Sequence, residues 1–245
     1  MYAQEKIKPY KDSPDGKKAQ VETMFNGIAH SYDRLNHMLS LGIDRRWRAK
    51  TIKALLPYQP RYILDIATVT GDFALQAYRV LRPKRISACD ISEEMMKIGR
   101  NKVMRAGLED IIMFQKEDSE QMTFENETFD TITVAFGVRN FEHLDKGLEE
   151  MHRVLQPGGH LAILELSVPK GFPMKQLFWL YAHLWMPLVG LIISKDKKAY
   201  TYLPASMEAF PQGEVMTSIL NKAGFREVWF KRMTFGLCTM YMATK

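Results

Sequence analysis

The sequence predicts an α/β protein with a doubly wound, mainly parallel sheet of seven strands, and three observations carry this. Short apolar runs bounded by polar and glycine residues recur at 62–67, 85–90, 111–116 and 129–136, the pattern of buried strands. Runs of helical spacing lie between several of them, and such strand–helix alternation asks for a parallel sheet with crossover helices. The third observation is size and composition. The 245 residues are 46% hydrophobic and 25% charged, enough for a sizeable core without covalent staples. Cys89 and Cys238 alone cannot build a disulfide framework or a multi-cysteine zinc cluster, and they fit a reducing, cytoplasmic setting.

Residues 1–20 hold five lysines against three acids, with Pro9, Pro14 and Gly16, and are expected to form a mobile basic tail without a secretory signal. The remainder, 21–245, is expected to be one domain. Over 21–57, Met24, Phe25, Ile28 and Tyr32 recur at helical spacing, followed by Leu35, Met38 and Leu39, then Trp47, Ile52, Leu55 and Leu56. Two or three short helices covering the main domain are predicted there. The strand at 62–67 precedes a helix over 73–81, opened by Asp72, whose charge suits a helix N-terminus. A strand at 85–90 leads to a helix over 93–106, stopped by Gly107. Strands at 111–116 and 129–136 follow. Leu144, Leu148, Met151 and Leu155 make an amphipathic stripe ended by Pro157-Gly158-Gly159, with a strand at 160–166. A helix over 215–223 stops at Gly224. The final strands, 227–231 and 237–244, suit an antiparallel hairpin on the sheet edge.

Open α/β sheets bind ligands beyond the carboxyl ends of their strands. The first strand ends in Asp65-Ile66-Ala67-Thr68-Val69-Thr70-Gly71-Asp72, where a glycine turn and a helix N-terminus admit a ligand to the backbone. Asp90 ends the second strand, 19 residues after Gly71, where an acid would accept hydrogen bonds from ribose hydroxyls. Asp118-Ser119 follows the third. The competing reading makes Asp65 and Asp72 a capping pair and Asp90 a loop residue. The turn is not GxGxxG, which weighs against a nicotinamide dehydrogenase, and it is not a phosphate loop.

These strand-end residues resemble the class I S-adenosylmethionine (SAM) methyltransferases. Three further stretches are more specific: Tyr32-Asp33-Arg34-Leu35-Asn36-His37-Met38-Leu39-Ser40 leading to Trp47; Phe136-Gly137-Val138-Arg139-Asn140; and Arg153 to Pro157-Gly158-Gly159 continuing to Glu165-Leu166-Ser167. With Tyr202-Leu203-Pro204-Ala205-Ser206 and Phe210-Pro211 they are similar to the ubiquinone/menaquinone biosynthesis C-methyltransferases, over about residues 21–245. The resemblance implies methyl transfer from SAM to a ring carbon of a polyprenylated quinol, demethylmenaquinol above the ubiquinol precursor. It implies that Thr70, Asp90, Asp118 and Ser119 contact SAM, and that Asp65, Gly71 and Asp72 shape its pocket. Three positions depart from the family pattern. Val69 stands where glycine is usual, and either strains a left-handed turn or sits in a turn with ordinary φ. Asp44 stands for a common histidine, and Asn26 for a common aspartate.

Quinol C-methylation needs alignment, an oxyanion to push electrons onto the ring, and a base. Arg139 and Asn140, after the fourth strand, are the candidate catalytic pair; Arg139 either stabilises a quinolate oxygen or pairs with a local carboxylate such as Glu142. Asp33 is a candidate base, or else a cap or a partner of Arg34 or Arg45. His143 is a second candidate, or an exposed loop residue. No metal site is expected, because the histidines show no ligand spacing.

Residues 172–201 form a hydrophobic insertion. The stretch 177–193 is apolar nearly all round but broken by Pro187, at the short limit of a membrane span of ~17–25 residues. It is read as core or dimer contact, as a lid taking an isoprenoid tail from the bilayer, or as a span. Lys195, Lys197 and Lys198 suit anionic headgroups, so peripheral membrane contact through 172–198 at the inner face is one expectation and a homodimer another. Net charge +6 is spread among acids without an aromatic–arginine platform, so no nucleic-acid partner is expected. A non-catalytic quinone- or lipid-binding protein, weakened for SAM by Val69, is the alternative to an enzyme.

Overall fold

A computed structural model describes residues 1–185 and 197–245. Seven strands form one sheet in the order β3-β2-β1-β4-β5-β7-β6. β1 (Tyr62–Ile66), β2 (Arg85–Asp90), β3 (Ile112–Lys116), β4 (Phe129–Ala135) and β5 (Leu155–Leu166) are parallel. β6 (Arg226–Met233) and β7 (Cys238–Thr244) form the expected hairpin, with β7 antiparallel to β5 and β6 on the edge. The chain reverses its winding between β1 and β4, which fixes where a ligand crevice opens.

Helices cover both faces. On one face, α3 (Ile43–Ala54), α4 (Asp72–Leu81) and α5 (Glu93–Arg105) bury Ile52, Phe73, Ala77 and Val103 against Ile63, Ile86 and Ile112. On the other, α6 (Leu144–Val154) buries Leu144, Leu148 and Met151 beside Met216, Ile219 and Leu220 of the helix at Glu214–Lys222. The starts follow charge and capping: Asp72 opens α4, and the Ser92 hydroxyl accepts from Met95 N at 3.3 Å at the head of α5. Leu155 ends the predicted helical stripe but begins β5, pairing with Phe129 across an irregularity that absorbs Pro157-Gly158-Gly159. The strand therefore starts five residues before the sequence pattern suggests, because pairing with β4 overrides the glycines.

α1 (Lys17–Ile28) and α2 (Tyr32–Leu39) lie over α5, with Val21, Met24, Ile28 and Leu35 packed on Met95. Residues 1–20 are not a free tail. Tyr2 Oη donates to Asp145 at 2.7 Å, Glu5 accepts from Leu144 N at 3.0 Å, and Gln4 is buried. Lys17 is fully buried; its Nζ donates to the carbonyls of Gln4, Arg139 and Phe141 at 2.8–3.0 Å, and burial lowers its pKa to about 8. A composition rich in lysine reads as solvated, but here three carbonyls take one ammonium inside.

Within the insertion, α7 (Met174–Leu180) runs into a π-helical turn at Tyr181–Trp185, and α8 spans Lys197–Ala209. Pro187, Gly190, Lys195 and the rest of 186–196 lie outside the described residues. Among the described residues no helix is long and apolar enough to cross a membrane. The chain closes with α9 (Glu214–Lys222) ahead of the hairpin.

Candidate active site

The turn after β1 is built from left-handed residues. Ala67, Val69 and Gly71 have φ of 51°, 55° and 75°. The reading of Val69 with an ordinary φ therefore fails, and a β-branched side chain in this region costs about 1–3 kcal/mol. The turn is pinned by Thr68 N donating to Cys89 O at 2.9 Å, Gly71 N to Thr68 O at 2.9 Å, and Val69 N to Asp90 Oδ2 at 2.8 Å. A Cβ on Gly71 would lie 2.7 Å from Phe114. At the end of β4, Phe136 is also left-handed, at 62°, and a Cβ on Gly137 would meet that of Ala67 at 2.4 Å. Three left-handed non-glycine residues, Ala67, Val69 and Phe136, thus lie where β1 and β4 part.

Asp65 sits beneath the turn, buried, and accepts from the hydroxyls of Thr68 and Thr133 at 2.6 Å each. Asp90 is buried and also accepts from Ser92 N at 2.8 Å. Burial raises both carboxyls to about pKa 6, although the hydrogen bonds they accept pull the other way. Asp72 joins a charged cluster: Lys102 Nζ lies 2.7 Å from it and 2.6 Å from Asp33, and Arg48 lies 3.6 Å from Asp72. Thr70 donates to Asp33 at 2.6 Å and accepts from Lys102 at 2.9 Å. Asp118 pairs with Lys18 at 2.6 Å.

Three cavities meet here. A slot of about 60 Å³ is lined by Asp90, Asp118, Ser119 and Asn140, with Ile91, Cys89 and Met122 as apolar walls. A smaller one of about 20 Å³ holds Asp65, Thr70 and Asp72; Val69 lines both. The third, about 340 Å³, is walled by α1, α2, α3, α7 and α8; its lining is mostly apolar, with Tyr32, Asn36, Ser40, Asp44, Arg48, Arg139, Tyr181 and Tyr202 as its polar residues. Phe136 lines the slot and the large cavity; Tyr32 and Arg48 line the large cavity and the smallest. Tyr202 Oη donates to Asn140 Oδ1 at 3.0 Å, bridging the walls.

The catalytic candidates separate. Arg139 and Asn140 reach the junction. Arg139 pairs with Glu165 at 2.8 Å, both buried, rather than with Glu142, which accepts from Lys17 N at 2.6 Å. Asp33 is held by Lys102 and Thr70, not by Arg34 or Arg45, and is absent from the large cavity's walls. His143 pairs with Glu120 at 2.8 Å. Arg48 and Lys102 lie outside the motifs, while Asp44 enters the sequence reading only as a departure from the family pattern and Glu165 only within a matching stretch. The i,i+4 spacing of Asp44 and Arg48, whose side chains meet at 3.0 Å, is a further local signal.

The carboxylates in the slot's lining would suit a ribose diol and an exocyclic amine, its apolar walls a purine, and its acid-rich character would disfavour a pyrophosphate. The residues fit SAM and do not fit a dinucleotide. The sheet order, strained β1 turn and acidic slot define a class I SAM-dependent methyltransferase. The chain belongs to the ubiE/COQ5 methyltransferase family, whose model matches residues 13–245. It is 56% identical over 245 residues to the demethylmenaquinone methyltransferase of Bacteroides fragilis, covering 100% of this chain and 99% of that one. It is 46% identical over 246 residues to the protein of that name from Porphyromonas gingivalis, covering 100% of both. The crystal structure of a SAM-dependent methyltransferase from Thermotoga maritima, described as a possible histamine N-methyltransferase, matches with a TM-score of 0.62 at 17% identity, over 91% of this chain and 99% of that one, a likeness of fold.

Proposed function

We propose that the protein methylates a ring carbon of demethylmenaquinol, with SAM bound in the slot and the polyprenylated quinol in the large cavity. One observation carries this reading: a mostly apolar cavity of about 340 Å³ shares Phe136 with the slot and has Arg48 and Arg139 in its wall. SAM supplies an electrophilic methyl on a sulfonium sulfur. Asp90 accepts from its ribose hydroxyls, Asp118 and Ser119 bind the base edge, and Thr70 holds the far end, with Asp65, Gly71 and Asp72 setting the turn. Asn140, tied to Tyr202, and Phe136 fix the ring's approach. Arg139 and Arg48 line the cavity, and each keeps a buried Nε–H without a partner among the described residues. Such donors stabilise a developing quinolate oxygen in a dry site.

The cavity mouth supports membrane contact. Leu41 and Leu177 line it and are exposed; Phe172, Trp179, Leu180 and Phe235, on the same or adjoining segments, are exposed too. Arg45, Arg46, Lys170 and Lys175 are exposed beside them in sequence. An apolar rim with basic neighbours suits a peripheral site at an anionic bilayer, where the prenyl tail enters.

The reading is tested by incubating the full chain with methyl-labelled SAM and reduced short-chain demethylmenaquinol. Label is expected in the quinol; SAM binding without transfer would favour a non-catalytic quinone- or lipid-binding protein.

A further inference from the structure

The chemistry of the large cavity's described walls can be sorted residue by residue. Arg48 and Arg139 are permanent cations. Asn36 and Ser40 do not titrate. Burial raises the phenols of Tyr32, Tyr181 and Tyr202, so they stay protonated and serve as donors. Asp44 is left. Among the described residues lining the cavity it is the one carboxylate.

Asp44 is 3% exposed and belongs to α3. Its Oδ1 accepts from Ser40 Oγ at 2.7 Å and its Oδ2 from Arg48 at 3.0 Å. Arg48 is shared with Asp72 of α4 at 3.6 Å, stacks over Phe136 at 5.4 Å, and has a buried Nε–H with no partner among the described residues. A carboxylate and an arginine donor therefore stand side by side, next to the aromatic residue that separates the cavity from the slot. A structural pair alone would not need that place: an arginine with two carboxylates could close on itself, whereas this one keeps a donor without a partner among the described residues, in a mostly apolar chamber.

We propose that Asp44 is the general base that deprotonates the quinol hydroxyl, with Arg48 donating to the resulting oxygen. This rests on the quinol reading above. The O–H bond breaks, its proton passes to an Asp44 oxygen, and its electron pair stays on the quinol oxygen. That pair feeds into the ring. The neighbouring ring carbon forms a bond to the methyl carbon as the carbon–sulfur bond breaks, and the electrons of that bond leave on sulfur. The methylated ring carbon loses its hydrogen as a proton to solvent while Asp44 returns its own proton to the ring oxygen. One proton is released per methyl transferred, and the quinol is restored.

The test is the pH dependence of kcat at saturating SAM and saturating short-chain demethylmenaquinol, for the wild type, Asp44→Asn and Asp44→His. Among the described residues, the other charged or titratable groups that line this cavity or pair with Arg48 are Asp72, Arg139 and the three tyrosines, and these and Arg48 are unchanged in the variants. Wild-type kcat is expected to fall on acidification. Asp44→Asn is expected to lose about 10²–10⁴-fold in kcat, with SAM affinity within about threefold of wild type. Asp44→His is expected to recover most of the activity, with the acidic limb moved up towards the ordinary imidazole pKa of ~6.5. Full activity in Asp44→Asn, or an acidic limb unmoved in Asp44→His, overturns the proposal. Should neither variant fold, a wild-type kcat that does not fall on acidification overturns it and one that does supports it. Failure of the wild type to transfer methyl at all is failure of the quinol reading instead.

Discussion

The cofactor slot and the acceptor cavity share Phe136 but are built in opposite ways. The slot is built mainly from strand ends: its acids sit at the tips of β2 and β3 and its floor is a left-handed turn, with Lys18, Val21 and Phe25 of α1 also lining it. The acceptor cavity is assembled from five helices, and its polar residues come from positions as far apart in sequence as Asp44 and Arg139. A site of the first kind is fixed by the sheet. A site of the second kind depends on long-range packing and on internal ion pairs that keep its charges in place.

The largest expected effect is in the helical region. Arg139→Met leaves Glu165 buried at 0% exposure without its partner. Stability should fall by about 3–5 kcal/mol in urea unfolding. A variant as stable as the wild type would mean that the cavity's polar wall does not rest on that pair.

The strand-end region should respond in binding, not stability. Asp90→Asn is expected to weaken SAM binding by about 1.5–3 kcal/mol in calorimetry, leaving the quinol KM unchanged. The wild type carries the same dependence on pH. Burial raises Asp90 to about pKa 6, so SAM affinity should decline below that pH, by at most about tenfold per unit. This is not unfolding. Asp65 and Asp90 titrate higher when folded than the ordinary 3.8, so their protonation favours the native state as pH falls from 6 towards 4. Affinity flat from pH 7 to 5 would remove Asp90 from the ribose.

Val69→Gly sharpens the contrast from the other side. Relief of the left-handed valine, less the entropy cost of glycine, should stabilise the chain by about 0.5–2 kcal/mol and tighten SAM binding. Equal stability and equal affinity would show that the turn accepts valine without cost. The smallest effect belongs to the cavity mouth: Trp179→Ser with Leu180→Ser should reduce flotation with anionic liposomes while leaving urea stability within about 0.5 kcal/mol, because both side chains are about half exposed. Unchanged flotation would count against the rim as a docking surface.

The same contrast explains what could be read from the chain. The seven strands, the edge hairpin and the strand-end acids follow from local periodicity and turn chemistry, so Asp90, Asp118 and the Asp65–Gly71 turn were legible. Lys17 was not, since its partners are carbonyls of residues 4, 139 and 141. Neither was the Arg139–Glu165 pair, whose halves lie on different elements, nor the Lys102–Asp33 bridge that draws Asp33 away from the acceptor. Glu142 was the nearer carboxylate in sequence for Arg139, but the sheet places β5 beside β4 and brings Glu165 instead.

The central claim is that the two regions meet so that a methyl group passes to a ring carbon. Nuclear magnetic resonance of the product formed from ¹³C-methyl SAM and reduced short-chain demethylmenaquinol tests it most directly. The account predicts one new methyl signal attached to an aromatic ring carbon, in stoichiometric step with S-adenosylhomocysteine. A methoxy signal, or S-adenosylhomocysteine formed without methylated quinol, would contradict it.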